Sequence, residues 1–239
     1  MTQEDVRGAA GERYTRVAIW LHWAIAAFII FNLLSGLFTD VLPPPLQIAV
    51  LTLHVSSGLT VLALTLVRIA WRLMNDPPPF PMDTKPWERH AAHLAHFLLY
   101  AAMMLMPLSG WAMLSAHSPP GSAGAAAEPS SRFAPPPGMP PRAAPPADMP
   151  ALPAGGPPAM KIWNLVPLPM IGPIEAIGRE PGGLPAQRRL HETFEGWHGV
   201  GGFLLLALLV LHIAGALKHQ FIDRHAEFAR MGIGRRRAA

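Results

Sequence analysis

Histidine carries whatever redox or metal chemistry this chain performs, because the sequence contains no cysteine. His198 and His212 stand 14 residues apart in an otherwise apolar run, WHGVGGFLLLALLVLHIAGALKH. At a helical rise of ~1.5 Å and ~100° per residue, that spacing is ~21 Å along the axis and about four turns. Both imidazoles then point the same way, one near each edge of a membrane. Two more histidines interrupt apolar runs, His22 in RVAIWLHWAIAAFIIF and His54 in LQIAVLTLHVSSGLTV. Ionisable groups at such depth are costly and mark function. Axial ligation of haem iron is the chemistry that fits paired imidazoles. The missing cysteines exclude disulfides, iron–sulfur clusters, zinc–thiolate sites and covalent c-type haem attachment. Any haem must be held non-covalently, by histidine or methionine.

The elements that position these side chains follow from composition. Apolar residues make up 51% of the 239 positions and charged residues 14%, against ~25% charged in an ordinary soluble domain. The deficit is concentrated in four stretches, which predict membrane-spanning helices over about 17–38, 46–73, 91–116 and 193–217. The expected fold is an all-α membrane protein, a single four-transmembrane-helix bundle. Interfacial aromatics Trp20 and Trp23 open the first span, and Pro43, Pro44 and Pro45 close the turn after it. Arg68 and Arg72 end the second span, where they can snorkel to headgroups. The loop NDPPPFPMDTKPWERH is expected to be non-helical because of its prolines, and Pro107 should kink the third span. Residues 118–158 form a low-complexity Pro/Ala/Gly/Ser linker, too poor in apolar content to fold. The stretch MKIWNLVPLPMIGPIEAIG has too many prolines and glycines to span and should lie on the membrane surface as a short element. No signal peptide is expected, since Glu4, Asp5 and Glu12 accompany the N-terminal arginines and no A-x-A site follows the first apolar run. The net charge of +4 comes with neither a basic helix face nor an aromatic platform, so nucleic acid is not an expected partner.

Short-loop cations set the orientation. The first turn has none, whereas Arg68, Arg72, Lys85 and Arg89 flank the second connection and Arg235, Arg236 and Arg237 end the chain. Both termini are therefore expected in the cytosol, and the long Pro/Ala-rich loop between the third and fourth spans outside. That loop also carries Arg132, Arg142, Lys161, Arg179, Arg188 and Arg189, but long loops weigh little in this rule. With this orientation, His22 and His212 share the inner level and His54 and His198 the outer one. The expectation is two bis-histidine sites, His22 with His212 and His54 with His198, built from facing helices. Stacked ~20 Å apart, they would make an electron path across most of the ~30 Å core. Gly196, Gly199, Gly201 and Gly202 near His198, Ser56 and Gly58 near His54, and Ser35 and Gly36 in the first span leave room for a ring.

Other readings stand beside this one. A single intramembrane histidine often only hydrogen-bonds between helices; four at two matched depths weigh against that. His191 and His219 lie in phase with His198 and His212, but ~42 Å of helix separates them, so both belong at interfaces. His93 and His96 lack matched partners and suit helix packing, a propionate contact or a quinone pocket better than ligation. The methionines of the third span, Met103, Met104, Met106 and Met113, read as packing or lipid-facing residues. Arg188, Arg189 and His191 suit haem propionates or an anion as well as an ordinary interfacial cation cluster.

At the same residues the chain resembles the bacterial cytochrome b561 family. The matching stretches are YTRVAIWLHW, LHVSSGLTVLALTLVRIAWRL, AAHLAHFLLYAAMMLMPLSGW and WHGVGGFLLLALLVLHIAGALKHQFIDRHAEFARM, with Asp223 and the Arg230-Met231 pair recurring in order. The resemblance covers all four spans, and the family's ligands fall on His22, His54, His198 and His212. It implies two haem b groups in a plasma-membrane protein that passes electrons to or from the quinone pool, with quinone or quinol, lipid and a redox partner protein as the partners. One family type resembles a superoxide oxidase that reduces ubiquinone. The alternative is a haem-bearing membrane-anchor subunit relaying electrons from a dehydrogenase; a haem-free transporter bundle is disfavoured, because broken-helix pairs are absent. The loop at 118–158 is longer and richer in proline than the family pattern.

Overall fold

A computed structural model describes residues 13–81, 83–119, 122–127, 160–225 and 227–234. Most of the expected linker, with Arg132 and Arg142, and the basic end at Arg235, Arg236 and Arg237 lie outside the described residues, as do Glu4, Asp5 and Glu12. Seven α-helices appear among the described residues: α1 (Arg16–Phe38), α2 (Pro44–Met74), α3 (Pro86–Ser115), α4 (Ala123–Ala127), α5 (Gly172–Glu175), α6 (Leu184–Phe221) and α7 (Glu227–Arg230). Four of them, α1, α2, α3 and α6, are long and apolar enough to cross a membrane. In hydrocarbon no water satisfies the backbone, so a segment that spans must close its own hydrogen bonds, as a helix does. The outward faces carry large apolar side chains, among them Ile30, Leu34, Leu66, Phe97, Phe203 and Leu211, which suit lipid contact.

Local chemistry sets the helix ends. Thr15 caps α1, its hydroxyl accepting from Ala18 N at 3.3 Å. Proline at the first positions of α2 removes a donor that a helix start leaves orphaned anyway. The same rule corrects the expectation for the second connection: α3 begins at Pro86, so PWERH is helical although prolines precede it. Pro107 lies within continuous α3. Helix α6 begins at Leu184, nine residues before the expected start at Thr193. Its added turns, LPAQRRLHE, are helix-forming but polar, so hydropathy alone did not mark them.

The described chain divides into two compact units, residues 1–107 with 199–239, and residues 108–198. In the first, α1 and α2 pack antiparallel-wise through consecutive connection, and one buried cluster draws on all four long helices: Ile25 and Ile29, Val61, Leu99 and Met103, and Leu205. Polar contacts tie α2 to α1. Asn32 Nδ2 donates to Ser57 Oγ at 2.9 Å, and Ser56 and Ser57 are almost wholly buried. A Cβ on Gly58 would meet Asn32 Oδ1 at 3.6 Å. Ser57 and Gly58 thus lie at the contact between α1 and α2. The C-terminal segment folds back on this unit: Trp23 Nε1 donates to the Met231 carbonyl at 3.0 Å, and Arg230 Nη2 to the Pro79 carbonyl at 2.7 Å.

The second unit holds the described part of the connection between α3 and α6. The stretch at 160–178 forms a small antiparallel hairpin, β1 (Lys161–Ile162) and β2 (Val166–Pro167), followed by α5. Its turn places Trp163 and Asn164 at φ 52° and 58°. Asparagine tolerates this region well, tryptophan rarely. Ser115 anchors the segment by accepting from Ile171 N at 3.0 Å, and Trp111 Nε1 donates to the Pro169 carbonyl at 2.7 Å.

Candidate functional site

The inner histidines meet within the first unit. His22 on α1 and His212 on α6 have ring centroids 6.2 Å apart at an interplanar angle of 62°, and both are half-buried. His96 on α3 also lies against His212, at a centroid distance of 5.2 Å and an interplanar angle of 82°. Its Nδ1 donates to its own helix, to the Ala92 carbonyl at 2.6 Å. Sequence reasoning left His96 without a partner; the structure brings it to His212. Arg68 lies on α2 in the same unit. Its Nε donates to Tyr100 Oη at 2.9 Å, and its guanidinium carbon lies 5.9 Å from that ring's centre. Arg68 therefore reaches α3 rather than only running outward beside the headgroups.

His54 sits on α2 in the first unit. Ser35 Oγ, on α1, lies 2.7 Å from His54 Nδ1. The same hydroxyl is placed to donate its one hydrogen to the Asn32 carbonyl at 3.0 Å, and toward His54 it then accepts. With the hydroxyl hydrogen on Asn32, Nδ1 carries the ring proton and Nε2 the lone pair that a metal takes. A Cβ on Gly36 would come within 3.5 Å of the same ring, which places Ser35 and Gly36 as a close wall against His54.

His198 belongs to the second unit and has matching surroundings. Its Nδ1 lies 3.0 Å from Ser109 Oγ on α3. A Cβ on Gly110 would meet its Cε1 at 3.1 Å, so glycine there is what lets the ring sit so close to α3. Ser109 and Gly110 escaped the sequence reading, since their 89-residue separation from His198 gives no local signal. Gly201 and Gly202, in the first unit, face the Met106 side chain instead.

Comparison with known proteins identifies the family. The profile of the family described as prokaryotic cytochrome b561 matches residues 13–234. The chain belongs to that family. A cytochrome b562 of Cereibacter sphaeroides is 40% identical over 103 residues, which is 41% of this chain and 63% of that protein. A probable superoxide oxidase CybB of Yersinia pestis is 26% identical over 43% of this chain and 58% of its own length. Cytochrome b561 homolog 2 of Escherichia coli is 28% identical over 46% of this chain and 59% of its own length. The chain thus spans about three fifths of the curated relatives it matches. As a member of the prokaryotic cytochrome b561 family with four helices long and apolar enough to cross a membrane, it is a bacterial membrane haem b cytochrome.

Four of the remaining histidines, His117, His191, His219 and His225, lie in polar clusters, whereas His93 packs edge-on against Phe80 with ring centroids 5.3 Å apart. His191 Nδ1 donates to the Met113 carbonyl at 3.1 Å, and its ring stands 4.7 Å from that of His117. Nearby Gln187, 2% exposed, accepts from Ser118 Oγ at 3.0 Å. At the far end of α6, Lys218 Nζ bridges Asp223 Oδ2 at 2.6 Å and Glu88 Oε1 at 2.8 Å. His219 Nδ1 donates to Asp223 Oδ2 at 2.7 Å. The Lys218 hydrogen bond, helped by that from His219, holds the Asp223 carboxyl below its ordinary range. His225 Nε2 donates to Asp83 Oδ2 at 2.9 Å, which lowers Asp83 in the same way.

Proposed function

We propose that this cytochrome carries two haem b groups, one between His22 and His212 and the other between His54 and His198, and passes electrons between a donor at the outer face of the inner membrane and the quinone pool. Both termini lie in the cytosol in this reading. The observation that carries it is the 6.2 Å separation of the His22 and His212 rings. Two imidazoles on opposite sides of one metal, each bonded at ~2.0 Å, have ring centroids ~6 Å apart. The His96–His212 distance of 5.2 Å is short for opposed ligands, and His96 is exposed where His22 is half-buried. His96 is therefore assigned as a neighbour of the site, not a ligand.

For the outer site, the serine on each Nδ1 supports ligation through Nε2. A hydrogen-bonded Nδ1–H fixes the tautomer and ring orientation and raises the basicity of the ligating nitrogen. Gly36 and Gly110 keep the His54 and His198 rings close to their neighbouring helices. When bound, haem supplies a one-electron couple whose potential is set by its axial ligands, their hydrogen bonds and burial. The chain's part is to hold four imidazoles and exclude water with its apolar helices.

One relative is named a probable superoxide oxidase, which makes superoxide the donor to try first, with ubiquinone as acceptor. Stopped-flow spectra decide this. The oxidised protein should be reduced rapidly by superoxide, and the reduced protein re-oxidised by ubiquinone. Reduction by quinol alone, with no response to superoxide, would contradict the donor assignment and favour a membrane-anchor subunit fed from the quinone side or by a docked dehydrogenase.

A further inference from the structure

We propose that His219, Asp223 and His225 form a binding site for a divalent transition-metal cation of the zinc class, separate from the haem ligands, which braces the C-terminal segment against the connection between α2 and α3. One ligand atom from each of the three residues lies within 4.8 Å of the others. All three residues are half-buried. Two imidazoles and one carboxylate are the ligand set that zinc and its neighbours prefer, whereas magnesium and calcium take oxygen.

The surroundings prepare both rings. His219 Nδ1 donates to Asp223 Oδ2 at 2.7 Å, and His225 Nε2 donates to Asp83 Oδ2 at 2.9 Å. On His225 the ring proton faces Asp83 and the lone pair stands on Nδ1, whereas on His219 a metal would take Nδ1, beside the Asp223 carboxylate, with the ring proton moved to Nε2. The Asp83–His225 pairing orients a metal-binding imidazole and raises its basicity. The rings lie nearly parallel, 9° apart with centroids at 5.8 Å. Lys218 and His219 both occupy Oδ2 of Asp223, so a metal would take Oδ1.

Charge points the same way. The connected groups Asp83, Asp223 and Glu88 are three carboxylates held against one ammonium, Lys218. With both imidazoles neutral, the network is two positive charges short of balance, which one divalent cation supplies. The position of the cluster gives the site a purpose. Asp83 lies in the connection before α3, His219 in the last turn of α6, and His225 just before α7. A cation there would join all three, beside the tail contacts already made by Trp23 and Arg230.

The test is equilibrium dialysis of the detergent-solubilised haem-loaded protein, purified without a histidine tag, against Zn²⁺, with bound metal counted by mass spectrometry. One zinc per chain is expected beyond any shared with a His219→Gln/His225→Gln double variant. His225→Gln and Asp223→Asn should each weaken binding by at least ~10-fold, and Asp83→Asn by ~10-fold through loss of the orienting carboxylate. His90→Gln, outside the cluster, should change nothing, and the haem spectrum should be the same in all. Zinc should also raise the Tm of the wild-type protein but not of His225→Gln. Equal zinc retention by wild type and double variant would overturn the proposal. Should a variant fail to fold, X-ray absorption of the zinc-loaded wild type decides: two imidazole nitrogens and a carboxylate oxygen support the site, and an all-oxygen shell refutes it.

Discussion

Replacing Ser35 with alanine isolates the contribution of one hydroxyl to the outer haem site. Donating to the Asn32 carbonyl at 3.0 Å leaves the hydroxyl to accept from His54 Nδ1 at 2.7 Å, the arrangement that the proposed ligation through Nε2 requires. Its removal leaves Nδ1–H without that acceptor, so His54 becomes less basic at Nε2 and a weaker donor to ferric iron. A net hydrogen bond contributes ~0.5–1.5 kcal/mol, which for a one-electron couple is a rise of ~20–65 mV in midpoint potential if all of it falls on the ferric form. Loss of such an orienting partner also weakens metal-site affinity by ~10-fold or more. The assay is a potentiometric titration of the reduced α-band, with haem content measured alongside. One midpoint should rise, with the other unmoved. A fall in that midpoint, or equal shifts in both, would refute the chain of reasoning from the Ser35 contact to the His54 tautomer.

Three further outcomes are expected. Gly110→Ala places a methyl 3.1 Å from His198 Cε1, a contact that forces the ring to move by a few tenths of an ångström, so the spectrum or potential of one haem should change, as read by the same titration. His96→Gln should retain two haems per chain by pyridine haemochrome assay, since His96 is assigned no iron. Because the chain has no native cysteine, single-cysteine variants report topology cleanly: Leu165→Cys, in the hairpin connection, should react with a membrane-impermeant thiol reagent in intact spheroplasts, and Asp76→Cys only after lysis.

The four long helices were legible because each contains an apolar run longer than a bilayer is thick, a signal that needs no tertiary information. The pairing of His22 with His212 was likewise approachable from spacing and depth. The polar extension of α6 back to Leu184 was not, because its turns are held by helix-forming residues and packing rather than by hydropathy. The hairpin at 161–167 was hidden by two-residue strands and by a turn in which Trp163 adopts φ 52°, against its residue type. Ser109 on His198, and Asp83 on His225, depend on which helix faces meet, at separations of 89 and 142 residues. By contrast His219 and Asp223 stand four apart, a helical spacing visible in the sequence, but the partner that makes a cluster of them, His225, follows the helix end.

The account rests on two haems held by two histidine pairs, and counting haem in four proteins tests that most directly. Pyridine haemochrome assay against protein concentration should give two haems per chain for the wild type, one for His54→Ala, one for His212→Ala and none for the double variant. Retention of both haems by His212→Ala, or loss of the same haem in both single variants, would contradict it.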